Sequence, residues 1–227
     1  MEKVVLQKFI ADSGLCSRRK AEDLIRIGKV KINGHVAELG MKAGEEDEVI
    51  VDGNKIIINN RKIYIKLNKP AGYTCTNRKF KGEKNIFELV DLKERLFAVG
   101  RLDKDSRGLV LLTNDGELTN KLTHPRYGHE KEYIVEVECS KLKVESIVKQ
   151  IEQGVDVGEG DGIAKARDIK YLGDNKFKIV LGQGKKRQIR RMFKALGCDV
   201  IDLLRIRIGK FELEDLKEGE WEYINVN

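Results

Sequence analysis

The stretch Val99-Gly100-Arg101-Leu102-Asp103-Lys104-Asp105-Ser106-Arg107-Gly108 stands between two apolar segments, one ending at Val99 and one running over residues 109–112. Five of its residues are charged and glycines flank the charged run, so this run cannot be part of a core. The pattern predicts a loop between two buried strands, and such loops commonly carry reactive side chains. From composition alone, an exposed loop without a chemical role fits equally well.

The two acidic residues of this loop, Asp103 and Asp105, could indicate a divalent-metal site. Three cations are interleaved with them, namely Arg101, Lys104 and Arg107. Their positive field disfavours a metal ion, keeps an aspartate ionised and attracts a phosphodiester. We therefore expect no metal in this loop, and the three histidines of the chain are scattered without ligand spacing.

Outward from the loop, short strands alternate with short helices. Apolar runs and alternating patterns predict strands at residues 63–67, 96–99, 109–112, 133–137, 177–180 and 203–208. Helical spacing of apolar residues predicts helices near residues 116–123, 142–153 and 186–196. Residues 61–227 are therefore predicted to form one α+β domain with a mixed, mostly antiparallel sheet.

A second basic cluster follows the glycines at 182 and 184 and opens the last of these helices. Ile189, Met192 and Phe193 recur at helical intervals and predict its buried face. The phosphate-loop motif of nucleotide-binding proteins is absent, so no nucleotide site is predicted. The other faces are basic, through Lys185, Lys186, Arg187, Arg190, Arg191 and Lys194.

Residues 1–60 are predicted to form a separate small α/β domain. Two stretches with helical spacing are followed there by a hairpin signal at Asn33-Gly34. Ser17 can cap the second helix, whose first turn carries three cations, Arg18, Arg19 and Lys20.

These cations oppose the helix dipole, at a typical cost of ~0.3–1 kcal/mol each, unless an anion binds at the helix start. The basic strip continues through Lys29 and Lys31 towards Asn33. A solvated charged face is the alternative, but the combination favours a phosphate-binding surface.

The composition limits the classes of protein to which the chain can belong. The chain has 227 residues and a net charge of +7, which permits binding to nucleic acid or to an anionic membrane without deciding between them. No run approaches the ~20 apolar residues that span a bilayer, and the first residues lack an apolar signal core. The cysteines, Cys16, Cys75, Cys139 and Cys198, are far apart in the sequence, which predicts free thiols in a reducing compartment.

The amino-terminal motifs resemble the S-four-type RNA-binding domain over about residues 3–55. The matching segments are Leu6-Gln7-Lys8-Phe9-Ile10, Ser17-Arg18-Arg19-Lys20-Ala21-Glu22 and Val30-Lys31-Ile32-Asn33-Gly34. The resemblance implies binding to structured RNA, mainly through phosphates and shape. It assigns RNA contacts to Arg18, Arg19, Lys20, Lys29, Lys31 and Asn33.

The rest of the chain resembles the RsuA/RluB/RluF branch of pseudouridine synthases. The motifs are Gly100-Arg101-Leu102-Asp103, Gly108-Leu109-Val110-Leu111-Leu112-Thr113-Asn114-Asp115-Gly116, Lys131-Glu132-Tyr133 and Gln188-Ile189-Arg190-Arg191-Met192. Within this branch the chain is most similar to the RluF type, which acts on large-subunit ribosomal RNA. The segments that carry this finer resemblance are Gly14-Leu15-Cys16-Ser17-Arg18-Arg19, Asp103-Lys104-Asp105-Ser106, His129-Glu130-Lys131-Glu132-Tyr133 and Gly219-Glu220-Trp221.

This resemblance implies cofactor-free isomerisation of uridine to pseudouridine. Asp103 acts at the ribose, Arg190 pairs with Asp103 and orients it, and Tyr133 stacks on the uracil and helps to remove the C5 proton. The residues expected to hold the opened RNA strand or its phosphates are Arg101, Arg107, Lys185, Lys186, Arg187 and Arg191.

We therefore expect a monomeric, cytoplasmic ribosomal RNA pseudouridine synthase that binds a structured stem-loop without a cofactor, a metal or a membrane. Large-subunit 23S RNA is the favoured substrate, with 16S RNA or tRNA as alternatives. A non-catalytic RNA-binding or ribosome-assembly protein would share the amino-terminal domain and the charge, but it would not need an aspartate inside a basic loop. A metal-dependent hydrolase using Asp103 and Asp105 is a more distant alternative.

Overall fold

The computed structural model describes residues 2–58, 61–78, 80–140 and 143–226. The chain forms two compact units. The first runs to Ile63 and also includes Leu92–Leu96 and Thr113–Gly116, and the second contains the rest. The predicted domain boundary falls at Asn60, which, like Asn59, lies outside the described residues.

The first unit contains two short helices and several short strands. The helices are α1 (Leu6–Asp12) and α2 (Arg18–Arg26). The strands are β1 (Val4–Val5), β2 (Val30–Ile32), β3 (His35–Val36), β4 (Lys42–Ala43), β5 (Val49–Val51) and β6 (Asn54–Lys55). One sheet has the order β3-β2-β5-β6, and β1 pairs with β4.

Local sequence signals shape this unit as predicted. Ser17 Oγ accepts a hydrogen bond of 3.2 Å from the Lys20 N–H and so caps α2. Asn33 and Gly34 have φ values of 49° and 83°, which suit the two-residue hairpin turn between β2 and β3. Helix α2 buries Ala21 and Ile25 in the core of the unit, which leaves its charged face to solvent.

The second unit contains most of the regular structure. Its helices are α3 (Gly116–Thr123), α4 (Val144–Gln153) and α5 (Gln188–Ala195), with single 3₁₀ turns at Ile86–Glu88 and Pro125–Tyr127. Its first strands are β7 (Tyr64–Lys69), β8 (Tyr73–Thr74), β9 (Lys84–Asn85), β10 (Phe97–Val99), β11 (Arg107–Thr113) and β12 (Lys131–Cys139). The others are β13 (Val155–Asp156), β14 (Ile163–Ala164), β15 (Asp168–Gly173), β16 (Lys176–Leu181), β17 (Cys198–Ile208), β18 (Phe211–Glu212) and β19 (Trp221–Tyr223). The start predicted for α4, residue 142, lies outside the described part of the chain.

A large mixed sheet organises this unit. Its strand order is β15-β16-β12-β17-β11-β7-β19, with β10 beside β11 and β18 beside β17. Strand β12 pairs antiparallel with β16 and β17, whereas β11 and β17 pair parallel. The predicted α+β fold with a mostly antiparallel sheet is confirmed.

The parallel pair explains the glycine that ends the charged loop. Gly108 lies opposite Arg205 in the register of β11 and β17. A Cβ atom on residue 108 would lie 2.3 Å from the Arg205 carbonyl oxygen, and the φ of Gly108 is +103°. Only glycine permits both the close approach and this backbone conformation.

The pairing of β12 with β17 contains two register shifts, one at Ile201 and one next to Tyr133. Tyr133 lies opposite Arg205, while the preceding Glu132 lies opposite Arg207, so Ile206 is an extra residue in β17. This is a β-bulge, which can redirect neighbouring side chains.

The same two strands correct the prediction for the cysteines. Cys139 and Cys198 are register partners at the far end of β12 and β17, with Cα atoms 4.3 Å apart, and they form a disulfide. Cys16 and Cys75 are free. The expectation of four free thiols was therefore wrong for two of them, because a separation of 59 residues along the sequence hides their juxtaposition in the sheet.

Candidate active site

A cavity of about 650 Å³ lies in the second unit. Its walls come from the charged loop after β10, from β12, from the segment that leads into α5 and from β17. Among the lining residues are Asp103, Tyr133 and Arg187, together with two cations of the sheet, Lys131 and Arg205. A volume of this size is typical of small-molecule or nucleotide pockets.

A buried lysine, Lys69, holds the backbone of the charged loop. The Lys69 ammonium is fully buried and donates to the carbonyl oxygens of Pro70, Lys104 and Ser106, at 2.9, 3.1 and 2.5 Å. Two of these acceptors flank the segment of the loop that follows Asp103. Burial lowers the pKa of Lys69, while nearby acidic groups, Asp103 among them, oppose that effect. Lys69 therefore fixes the backbone that presents Asp103.

The cation nearest to Asp103 is Arg187, not Arg190. Arg187 Nη1 lies 3.8 Å from Asp103 Oδ2 and 3.4 Å from Asp105 Oδ2. Arg187 precedes α5 in a left-handed conformation with φ of 49°, and such conformations of non-glycine residues cluster at functional sites.

The predicted ion pair between Arg190 and Asp103 is absent from the described part of the chain. Arg190 Nη1 donates instead to the Val200 carbonyl at 2.8 Å, and its Nη2 lies 3.4 Å from the Asp105 carbonyl. Burial and the charge of Arg187 lower the pKa of Arg190, while Asp105 and Asp103 act in the opposite direction. Arg190 thus binds backbone near the loop, because its position within α5 directs it towards β17.

Tyr133 lies on β12, between the register partners Ile179 on β16 and Arg205 on β17. Its side chain is almost buried and belongs to the cavity wall. The structure therefore brings Tyr133 and Asp103 to the same cavity, as the resemblance implies.

The predicted RNA-binding residues of this unit divide into two groups. Arg101, Lys185, Lys186 and Arg187 line the cavity. Arg101, Lys186 and Arg187 are exposed, whereas the Lys185 ammonium is engaged by the carbonyl oxygens of Asp161 and Ile163.

The remaining two predicted residues hold carboxylates. Arg107 forms a two-pronged ion pair with Asp202, with its Nη2 2.7 Å from Asp202 Oδ2. Arg191 pairs with Glu159 and Asp161. These acidic partners are far away in the sequence, so only the folded chain reveals the ion pairs, and the RNA contacts of Arg107 and Arg191 stay a prediction.

In the first unit, Arg18, Arg19, Lys20 and Lys31 are exposed on α2 and β2, as a phosphate-binding surface requires. Lys29 is exposed as well and pairs with Asp52 at 3.0 Å. Asn33 is structural: its amide donates to Asp47 at 2.8 Å and its oxygen accepts the Glu48 N–H at 2.9 Å. These two bonds anchor the hairpin turn, and the RNA contact expected of Asn33 stays a prediction.

Three cations of the cavity region escaped the residue-by-residue prediction. Lys69 lies just beyond the strand predicted at residues 63–67, and Arg205 lies inside the strand predicted at residues 203–208, where its charge is the available signal. Lys131 belonged to the motif that ends in Tyr133, but no role was assigned to it. Within the described residues, no cluster of histidine, cysteine and acidic side chains could hold a metal ion, and no helix is long and apolar enough to cross a membrane.

Comparison with known families identifies the family of the chain. Residues 63–195 match the family model of the RNA pseudouridylate synthases, and residues 6–49 match the S4 domain. The chain belongs to the RNA pseudouridylate synthase family. The matched region contains the loop of Asp103, β12 and the segment that leads into α5, whereas the cavity residues of β17 lie beyond residue 195.

Relatives support the assignment over nearly the full chain. An RNA pseudouridine synthase of Aquifex aeolicus is 41% identical, with 99% of this chain and 92% of that protein covered. Ribosomal large subunit pseudouridine synthase B of Bacillus subtilis is 38% identical, over 95% and 89% of the two chains. The dual-specificity RNA pseudouridine synthase RluF of Escherichia coli is 39% identical, over 96% and 74%.

A solved structure agrees with these relatives. The crystal structure of a pseudouridylate synthase superposes with a TM-score of 0.71 at 31% identity and covers 98% of this chain and 96% of that one. The predictions of the family, of the fold and of an enzyme that isomerises uridine in RNA to pseudouridine are therefore confirmed.

Proposed function

We propose that this pseudouridine synthase modifies a uridine of large-subunit ribosomal RNA and that Asp103 is its catalytic carboxylate. The observation that carries the proposal is the position of Asp103 in the wall of the cavity that also contains Tyr133. The name of the Bacillus subtilis relative supports the choice of RNA.

The reaction needs little from the protein besides one carboxylate and a shaped cavity. The bond between N1 and C1′ of the uridine breaks, and a bond between C5 and C1′ forms. The C5 proton is lost and N1 gains a proton, so there is no net redox change and no group donor is required. A carboxylate can serve as nucleophile or as base in such a sequence. No cofactor is proposed.

The target nucleotide has to leave its helix before it can enter. Extruding a base costs a few kcal/mol, and contacts in the pocket offset that cost. Tyr133 offers a ring on which the uracil can stack, and its hydroxyl is a candidate to accept the C5 proton. Arg101 and Lys186, exposed at the cavity, are suited to the phosphates of the opened strand.

Three cations keep the carboxylate in place by two different routes. Arg187 contacts Asp103 and Asp105 directly, so we assign to it the pairing role that the resemblance gave to Arg190. Arg190 and Lys69 act through backbone carbonyl oxygens of the loop. We propose that both are positioning residues.

The first unit is proposed to supply affinity for structured RNA around the target. Its S4 match and the exposed cations of α2 support this role. Contacts with phosphates set orientation and strength of binding but carry no chemistry.

The decisive experiment maps pseudouridines in total RNA from cells with and without the gene and repeats the reaction with purified enzyme. Loss of one site in 23S RNA, restored in vitro in excess chelator, is the expected result. The tRNA fraction belongs in the assay because the Escherichia coli relative is named a dual-specificity enzyme. A lost site confined to 16S RNA or to tRNA would overturn the choice of substrate, and no lost site anywhere would overturn the function.

A further inference from the structure

The bulge in β17 separates two arginines that regular alternation would place on one face of the sheet. Residues 205 and 207 of an unbroken strand point the same way. Because Ile206 is the extra residue, Arg207 lies opposite Glu132 and forms ion pairs with Glu132 and Glu130, at 3.0 and 3.5 Å. Arg205 lies opposite Tyr133 and lines the cavity. The bulge at Ile206 therefore places the Arg205 side chain in the cavity wall.

Arg205 is buried, with only 1% of its surface exposed. Its Nε donates to the Leu109 carbonyl at 2.8 Å and its Nη2 to the Gly100 carbonyl at 2.5 Å. These two carbonyls lie on either side of the catalytic loop. Its Nη1 has no hydrogen-bond partner in the part of the chain that the structure describes, and this group is the one left for a ligand.

Lys131 lies next to Arg205 in the same wall. It stands two residues before Tyr133 on β12, hence on the same face of the sheet, and it is half-buried. A methyl group added to Gly100 would lie 3.8 Å from both Lys131 Cε and Arg205 Nη1, so the two side chains converge there. The Lys131 ammonium forms no hydrogen bond or ion pair with the described residues. Burial and the charge of Arg205 lower the pKa of Lys131.

Two neighbouring desolvated cations without a carboxylate destabilise a fold. Two other cations of this sheet are matched by a carboxylate, since Arg207 and Lys178 both pair with Glu132. The exception at the cavity calls for an anionic or strongly polar group that arrives with the substrate.

That group is the base and not a phosphate. The RNA backbone continues in both directions from the target nucleotide, so its phosphates stay where the chain enters, close to the exposed Arg101 and Lys186. The base projects from C1′ into the cavity. If the N1–C1′ bond breaks first, its electron pair remains on the uracil and spreads to O2 and O4. If a carboxylate first adds to the base, the charge again reaches a carbonyl oxygen.

The geometry points to an oxyanion site in which Lys131 and Arg205 bind a uracil carbonyl oxygen and stabilise the negative charge that develops on the base. This inference rests on the proposed function. It makes Lys131 and the Nη1 group of Arg205 catalytic groups, since they touch the reacting base. Preorganised donors of this kind are worth more in a water-poor cavity than in solution.

Lys131→Met tests the site, because Lys131 holds no backbone, whereas replacing Arg205 would release two carbonyls. The single-turnover rate at saturating enzyme should fall roughly 100-fold or more, as for loss of one oxyanion donor. RNA affinity should change less than about threefold, and the slope of its salt dependence should stay the same, since every group proposed to bind a phosphate stays in place. Lys131→Arg should recover most of the rate. Lys176→Met, which removes a charge from the exposed ion pair with Glu136, should leave the rate unchanged.

A substrate with sulfur in place of one uracil oxygen separates chemistry from structure. Sulfur is a poor acceptor, so 4-thiouridine or 2-thiouridine at the target should slow wild-type enzyme and hardly slow Lys131→Met further. Non-additivity at one of the two positions is the expected signature of direct contact. The inference would be overturned if the rate losses from thio-substitution and from Lys131→Met were additive at both positions. An unchanged rate for Lys131→Met, or a weaker salt dependence of its RNA binding with a normal rate, would overturn it as well. Each of these outcomes would leave the proposed function intact. Wild-type enzyme that forms no pseudouridine would overturn the proposed function itself.

Discussion

The two units carry cations in opposite environments. On α2 of the first unit, Arg18, Arg19 and Lys20 are exposed, whereas in the second unit Lys131 is half-buried and Arg205 fully so. An exposed cation keeps its hydration and loses little when it exchanges water for a phosphate. A desolvated cation has already lost that hydration, so it stabilises incoming charge strongly. In the roles proposed above, residue type alone does not separate the cations that bind RNA from those that act in catalysis, whereas burial does.

The carboxylate in the cavity gives the largest expected effect. Asp103→Asn should slow isomerisation by roughly 10⁴-fold or more, as expected for loss of a nucleophile or base, while RNA affinity stays within a few fold. Asp105→Asn is the matched control, because Arg187 lies close to both aspartates, and it should be much milder. Single-turnover assays on an rRNA fragment measure both. Near wild-type turnover by Asp103→Asn would remove the catalytic assignment.

The exposed cations should show the reverse profile. Replacing Arg18, Arg19 and Lys20 by glutamine should flatten the salt dependence of binding by roughly 0.7–0.9 log units for each phosphate that is no longer neutralised. The single-turnover rate at saturating enzyme should stay within about threefold, because phosphate binding contributes affinity and not chemistry. Lys29→Gln, whose partner is Asp52, is a control with a smaller expected slope change. If the folded triple variant lost most of its single-turnover rate at saturating enzyme, the first unit would contribute to catalysis and the contrast between the units would be wrong.

The disulfide sharpens the comparison, because both of its cysteines lie in the second unit. Cys139→Ser combined with Cys198→Ser should lower the free energy of unfolding by up to about 4 kcal/mol, since the crosslink closes a long loop. Urea titrations followed by a probe in each unit would test whether the loss concerns the second unit. Equal stability of the double variant and the wild type would show that the crosslink adds no stability.

The smallest expected effect concerns the stability cost of Lys131. Lys131→Met should raise the free energy of unfolding at neutral pH by about 1 kcal/mol, as removal of an unpaired buried charge commonly does. The pKa of Lys131 is lower in the fold than its ordinary 10.5, so the unfolded chain binds more protons between those two values. Wild-type stability should therefore rise with pH across that window, and the advantage of the variant should shrink. Urea unfolding from pH 7 to pH 10 measures this, and a variant less stable than wild type at all pH values would contradict it.

Features with local causes could be predicted from the sequence. The cap at Ser17, the turn at Asn33-Gly34 and the buried face of α5 each depend on residues a few positions apart. The loop that presents Asp103 was also predicted, since its charges and flanking apolar strands are contiguous in the chain. These parts required no knowledge of which strands become neighbours.

Features set by strand register could not be predicted. The disulfide, the ion pair of Arg107 with Asp202 and the inward position of Arg205 all depend on how β17 lies against its neighbours. A single bulge changes the face of the sheet on which a side chain lies, and the local sequence around Ile206 does not predict the bulge. The choice between Arg187 and Arg190 depends in the same way on where α5 begins relative to the loop.

The bulge at Ile206 also makes β17 unequally tolerant of changes in length. Deleting Ile206 would make Arg205 and Arg207 consecutive, and consecutive residues already face opposite sides of a sheet, so both arginines would keep their present partners. Deleting Leu204 instead would shift Leu203 and Asp202 by one place, as far as the second bulge at Ile201, and turn their side chains to the wrong faces. We expect relatives that lack one residue in this strand to lack it at one of its two bulges, where a deletion leaves the neighbouring residue pairs unchanged.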